Sequence, residues 1–227
     1  MKLHTITVAS LLGAGLLITS GCTKDDLEKE IEKIAKVNMV YVINTLDTDI
    51  IVHVTGMKDT LTVKPSQVAL VPLTGEEANK VYYKTGSYTS KTANYQYGSA
   101  YAFVSTKCNG TGYIQDSTSG KGIIKIVNAT NTDVIQGTSI IITDAHGSHV
   151  EFTNAATRCS VTDSGLSSSK LNIKKGDEVK IDINGHENTV KSPIDAPNGI
   201  DIDIILMDNN KTALAPLATY DDALKQK

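Results

Sequence analysis

From Val37 onward, apolar and polar residues alternate along the chain, and many of the apolar ones are β-branched. Successive strand side chains point to opposite faces, so this period of two predicts half-buried strands. It predicts them in MVYVIN (39–44), DIIVHVT (49–55), TLTVK (60–64), QVALVPL (67–73), KVYYKT (80–85) and SAYAFVST (99–106). A second run follows in GIIKIVN (122–128), SIIITDA (139–145), HVEFTN (149–154), KLNIK (170–174), EVKIDIN (178–184) and GIDIDIILMD (199–208). The intervening Gly, Ser and Asn clusters are turn chemistry, so the sheets are antiparallel with one wet face each. Only residues 24–36, KDDLEKEIEKIAK, carry a helical period, with Leu27, Ile31 and Ile34 on one stripe. About two heptads make a poor coiled coil by themselves, so a spacer helix is expected there.

The two runs of strands look like copies. Residues 42–50, VINTLDTDI, align with 126–134, IVNATNTDV, which superposes Asn44 on Asn128, Thr48 on Thr132 and Asp49 on Asp133. Residues 61–75 align with 171–185, and the offset grows from 84 to 110 between the blocks. That growth predicts an insertion in the second copy near 145–170. The expected fold is therefore all-β, with two tandem antiparallel β-sandwich units over 38–115 and 121–215 and a tail over 216–227. The shared Asn-Thr-Asp corner needs no ligand, because Asn and Asp close turns by bonding nearby backbone.

Before the strands comes an address. Lys2 precedes an uncharged apolar stretch over 6–18, then Thr19, Ser20, Gly21 and Cys22. The stretch is too short to span ~30 Å of hydrocarbon comfortably, so it reads as a cleaved signal peptide over 1–21. A cysteine directly after small residues resembles the lipobox of bacterial lipoproteins. That resemblance implies lipidation of Cys22 with palmitate-type acyl chains, followed by a spacer over 22–37. Two or three chains give a stable membrane anchor. Thr23, not Asp, follows Cys22, which by the same resemblance favours the outer membrane of the cell envelope. The first copy also resembles a family of tandem extracellular bacterial β-sandwich domains of unknown function. They share a valine-rich opening strand, an Asn-x-x-x-x-x-Asp corner and a late Gly-x-x-Tyr strand like Gly98 to Tyr101.

Composition trims the functional classes. The net charge is −3, so no basic surface points to nucleic acid. Arg158 is the only arginine, which excludes a multi-arginine clamp for phosphate. With Cys22 acylated, Cys108 and Cys159 remain as an even pair in an exported chain, where disulfides persist. A bridge between them would staple the two units through a loop of about 50 residues, stabilising by roughly 4 kcal/mol.

Candidate chemistry is sparse. His146 and His149 bracket Gly147 and Ser148 in a turn, without the Glu of a zinc-protease helix. They are weak metal candidates, as is the partial calcium-loop pattern of Asp182, Asn184, Gly185 and Glu187. Asp201 and Asp203 share one face of a strand, ~7 Å apart. Paired carboxylates do acid–base work in glycosidases, but the isoleucines between them fit a plain amphipathic strand. No nucleophile elbow, phosphate loop or dinucleotide fingerprint is present, so no enzyme activity and no cofactor are expected. Residues 81–103 hold six of the nine tyrosines. Of these, Tyr82, Tyr88, Tyr95, Tyr97 and Tyr101 form a candidate binding surface, since tyrosine joins a rigid ring to a polar tip. Strand tyrosines also simply line sheets.

Taken together, these features predict a non-catalytic, lipid-anchored envelope protein that binds or scaffolds an envelope protein or a glycan. The alternatives are a surface adhesin or appendage subunit using the tyrosine-rich hairpin, and an envelope metal protein or enzyme.

Overall fold

The computed structural model describes residues 38–73, 79–96, 99–196 and 199–218; the signal, Cys22, the spacer helix and Tyr97 lie outside them. No helix among the described residues is long and apolar enough to cross a membrane. The chain is all-β, with four sheets stacked as two sandwiches.

In the first sandwich, sheet 1 has the order β4-β1-β8-β9 and sheet 2 the order β3-β2-β5-β6, with β7 also on β5. The strands are β1 (Asn38–Ile43), β2 (Ile50–Val54), β3 (Leu61–Val63), β4 (Val68–Leu73), β5 (Asn79–Thr85), β6 (Tyr88–Thr89), β7 (Ala93–Tyr95), β8 (Tyr101–Ser105) and β9 (Tyr113–Ser117). The second sandwich uses β10 (Ile123–Asn128), β11 (Val134–Thr143), β12 (His149–Ala156), β13 (Ser160–Ser167), β14 (Glu178–Ile183), β15 (His186–Lys191), β16 (Asp201–Leu206) and β17 (Thr212–Leu217). Its sheet 3 runs β13-β10-β16-β17 and its sheet 4 runs β12-β11-β14-β15.

The two orders are the same once β10 is laid on β1. In each copy the first strand pairs antiparallel with the fourth and parallel with a late strand, β8 or β16. Register makes the equivalence residue-specific. Val40 pairs with Tyr101 and Tyr41 with Ala102 in one copy; Ile124 pairs with Ile202 and Lys125 with Asp203 in the other. The corner asparagines are equivalent too. Asn44 Nδ2 donates to Thr48 O (2.8 Å) and Val63 O (2.9 Å), and Asn128 Nδ2 donates to Thr132 O (2.8 Å) and Ala156 O (3.1 Å). Each Oδ1 accepts the N–H two residues on, from Leu46 or Thr130. Both side chains are fully buried, so each pins the exit of its first strand to the end of the third.

Those bonds correct the sequence alignment. Val63 ends β3 and Ala156 ends β12, so β3 and β4 correspond to β12 and β13, not to 171–185. Residues 145–170 are therefore strand-bearing copy rather than insertion. The expected strand over 170–174 is a 3-10 turn at Ser168–Lys170 followed by one bridge, Ile173 to Ala196. The pattern also missed the short β6 and β7 and the longer β9, β13, β15 and β17, whose sequences do not alternate cleanly.

A second correction concerns wet faces. Sheets 1 and 3 pack on each other, joining Tyr41, Ile43, Ala102, Val104 and Ile114 to Val127, Ile205, Met207, Ala213, Ala215 and Leu217. Each also covers its own partner sheet, so β8, β16 and β17 are buried along their whole length. The layers thus run sheet 2, sheet 1, sheet 3, sheet 4. Only the two outer sheets have a wet face.

Cys108, in the β8–β9 loop, is bonded to Cys159, in the β12–β13 turn, with Cα atoms 5.9 Å apart. The bridge joins the two sandwiches at one end of their interface. Beside it, the Thr106 hydroxyl donates to Ala129 O at 3.0 Å.

Candidate binding face and a buried charge cluster

The tyrosines do not form one surface. Tyr95 is fully buried and Tyr101 nearly so, their rings 4.6 Å apart in the first core with Tyr83. The reason is parity: β7 and β8 turn these positions toward the partner sheet. Tyr88 is 45% exposed, beside Gly112. Among the four of these tyrosines that are described, Tyr82 stands on a sheet's outer face, because β5 alternates with Lys80, Tyr82 and Lys84 outward.

That outer face belongs to sheet 2. Register sets Ile51 between Thr62 and Lys84, and His53 beside Tyr82. The His53 and Tyr82 rings stack at 4.6 Å with planes 1° apart. Ile51 is 42% exposed. The outward strand positions here include two lysines and no carboxylate. The wet face of sheet 4 differs, carrying Glu151, Glu178, Asp182 and Glu187 against Lys180 and Lys191, with a Lys180–Glu187 ion pair at 3.2 Å.

His146 and His149 are exposed at the β11–β12 turn. Asp144 builds that turn by accepting from the N–H groups of His146 (2.9 Å), Ser148 (2.9 Å) and Asn172 (2.8 Å). These bonds outweigh the burial of its carboxyl, which sits below the usual range. His186 pairs with Ile183 at the opposite end of sheet 4, and His53 lies on sheet 2, so the histidines do not converge. No group of three His, Cys, Asp or Glu suited to a metal occurs among the described residues. Asp182 accepts from Gly185 N at 2.6 Å, which makes the calcium-like pattern a hairpin closure.

Asp201 and Asp203 overturn the amphipathic-strand expectation. Both are fully buried on β16, and their face meets sheet 1 rather than water. Lys125, one strand over on β10, is also buried and donates from Nζ to Asp116 Oδ2 (2.6 Å) and Ser117 O (2.7 Å) on β9. The same Nζ stands 3.3 Å from Asp201 Oδ2. Burial disfavours the Lys125 ammonium, but Asp116, Asp203 and Asp201 together raise its pKa. Asp201 accepts from the N–H groups of Ser119 and Ile123, and these with Lys125 hold its carboxylate ionised against its burial. Asp203 has no hydrogen bond of ordinary geometry to either oxygen. Burial first, then the facing Asp116, pushes its pKa far up. Gly122 lets these strands start close together: at φ +62°, an added Cβ would meet the Gly199 backbone at 2.7 Å. Sequence spacing flagged the aspartates but not Lys125 or Asp116, because the register across two sheets decides that meeting.

A shallow cleft of about 160 Å³ lies beside the Cys108–Cys159 bridge, lined by Cys108, Asp47, Ser66, Lys107, Asp208 and Lys211 among others. Within it Lys107 pairs with Asp47 at 2.9 Å and Lys211 reaches Ser66 at 3.5 Å.

No family model matches the chain, and no curated protein is detectably similar to it.

Proposed function

We propose that the protein is a non-catalytic, lipid-anchored module of the bacterial cell envelope that binds an acidic glycan through the outer face of sheet 2. One observation carries the binding reading: the stacked His53 and Tyr82 rings form a platform beside Ile51, with Lys80 and Lys84 on either side. Sugar rings lie against aromatic faces, and lysines attract carboxylate or sulfate groups. The lipobox-like start and Cys22 support the anchor, and the disulfide suits an oxidising compartment. An adhesin built on the tyrosine hairpin fits less well, since Tyr95 and Tyr101 belong to the core.

The test is titration of the full protein with uronate-containing, sulfated and neutral oligosaccharides, repeated with His53→Ala, Tyr82→Ala and a Lys80→Glu/Lys84→Glu double variant. The expected result is binding of the acidic glycans alone, weakened at least tenfold by each variant and by added salt. Equal binding by wild type and all variants would remove this face from the function.

A further inference from the structure

The duplication supplies its own control for the buried charges. At the positions equivalent to Lys125, Asp201 and Asp203, the first copy carries Tyr41, Ala100 and Ala102. Asp116 on β9 likewise corresponds to Ala215 on β17. The shared topology therefore does not require a charge at any of the four places. Yet the four side chains meet at one point, where β9 of one sandwich faces β10 and β16 of the other, and their side chains are almost dry. Exposure is 8% for Lys125, 16% for Asp116 and 0% for Asp201.

We propose that Lys125 and Asp116 are joined by a side-chain amide, which the protein forms on itself once and which ties the last strand of the first sandwich to the first strand of the second. The amine and the carboxyl group it attacks are already in contact, with Lys125 Nζ 2.6 Å from Asp116 Oδ2. Reacting groups held at such a separation need little further entropy loss. Asp201 positions the amine: its ionised Oδ2 stands 3.3 Å from Nζ, while one ammonium proton passes to the Asp116 carboxylate across their 2.6 Å contact and makes one oxygen a hydroxyl leaving group. Asp203 is the acid. Its carboxyl keeps a proton because it is buried, faces Asp116 and has no other partner. Donation of that proton to the departing hydroxyl releases it as water, and the nitrogen of the adduct returns a proton to Asp203.

The balance closes without an oxidant or a co-reactant. The Nζ lone pair attacks Asp116 Cγ, the C–N bond forms, and one C–O bond breaks. Of the three ammonium protons, one stays on the amide nitrogen and two depart with the oxygen as water. Asp201 ends as the carboxylate and Asp203 as the acid, as they began. Asp116 is the most exposed of the group, so the water leaves on its side. Afterwards the dry surroundings keep hydrolysis slow.

The deciding measurement is the intact mass of the full protein after reduction in denaturant, with fragmentation of the region 108–158. The expected wild-type mass is below the sequence mass, acyl chains included, by one water, with fragments joining Asp116 to Lys125. Lys125→Arg and Asp116→Ala should both restore the full mass. Asp203→Asn, which keeps the shape, should leave most molecules unjoined while the circular dichroism stays native. A wild-type protein at full sequence mass would overturn the proposal. So would a water loss that persists in Lys125→Arg, which would mean a cyclised aspartate instead.

Discussion

In the first sandwich, Tyr101 and Phe103 of β8 pack over Val40 and Val42; in the second, Ile202 and Ile204 take those places over Ile124 and Ile126. The first core is rich in rings, with Tyr83 edge-on to Phe103 at 6.1 Å and Phe103 stacked on Tyr113 at 4.8 Å. The second is almost entirely aliphatic. One strand order thus tolerates two fillings, which is how cores behave when volume and alternation are kept. What both copies retain is the corner asparagine and its bonds. What only the second copy has is the Lys125–Asp201–Asp203 group on the face turned to its neighbour. The topology therefore rests on alternation and the corners, and the charges answer to the junction.

Several substitutions would break or sharpen that contrast. The largest effect is expected from Lys125→Met. It removes both the tie to Asp116 and the nitrogen beside buried Asp201 and should cost about 3–5 kcal/mol, measured by urea unfolding; the matching Tyr41→Phe in the first copy should cost little, because the Tyr41 hydroxyl has no protein partner. Next comes the staple between the copies. Cys108→Ser with Cys159→Ser should cost roughly 2–4 kcal/mol by releasing a loop of 51 residues. If the sandwiches then melt in two steps, the junction rather than each core was the weaker part.

The corners should behave alike. Asn44→Ala and Asn128→Ala each strip two backbone carbonyls of their donor inside the protein, at a cost of about 2 kcal/mol apiece. A loss confined to one of them would contradict the equivalence. The smallest effect should come from Asp203→Asn, and its size depends on pH. Burial holds the Asp203 proton to a pH above the ordinary carboxylate range, so the stability from this group is full below about pH 4 and falls as the pH rises. The variant has no proton to lose. Compared within Lys125→Arg, where no amide can form, it should match its parent near pH 4 and exceed it at pH 9. Asp201, held ionised, works the other way in wild type and variant alike.

Much of the architecture was legible in the chain. A strand such as 178–183 alternates strictly because one side meets a core and the other water. The repeat was visible where a buried asparagine must stand, at Asn44 and Asn128. The alignment failed over 145–170, since β12 and β13 are much longer than β3 and β4 and share no comparable anchor with them. Strands β9 and β17 escaped notice for a related reason. β17, TALAPL, is buried on both faces and so has no polar alternate.

The candidate sites divide along the same line. Tyr82 was singled out by sequence together with Tyr95 and Tyr101, but only parity against a partner sheet separates the outward ring from the two in the core. Composition and local pattern by themselves determined the all-β class, the turn corners, the even cysteine pair and the absence of a familiar catalytic motif, because each depends on residues close together in the chain. The tertiary structure decided which faces stay wet, that Cys108 meets Cys159, and that Lys125 and Asp116 find Asp201 and Asp203. Those meetings depend on how sheet 1 lies against sheet 3, a contact between strands that no local period encodes.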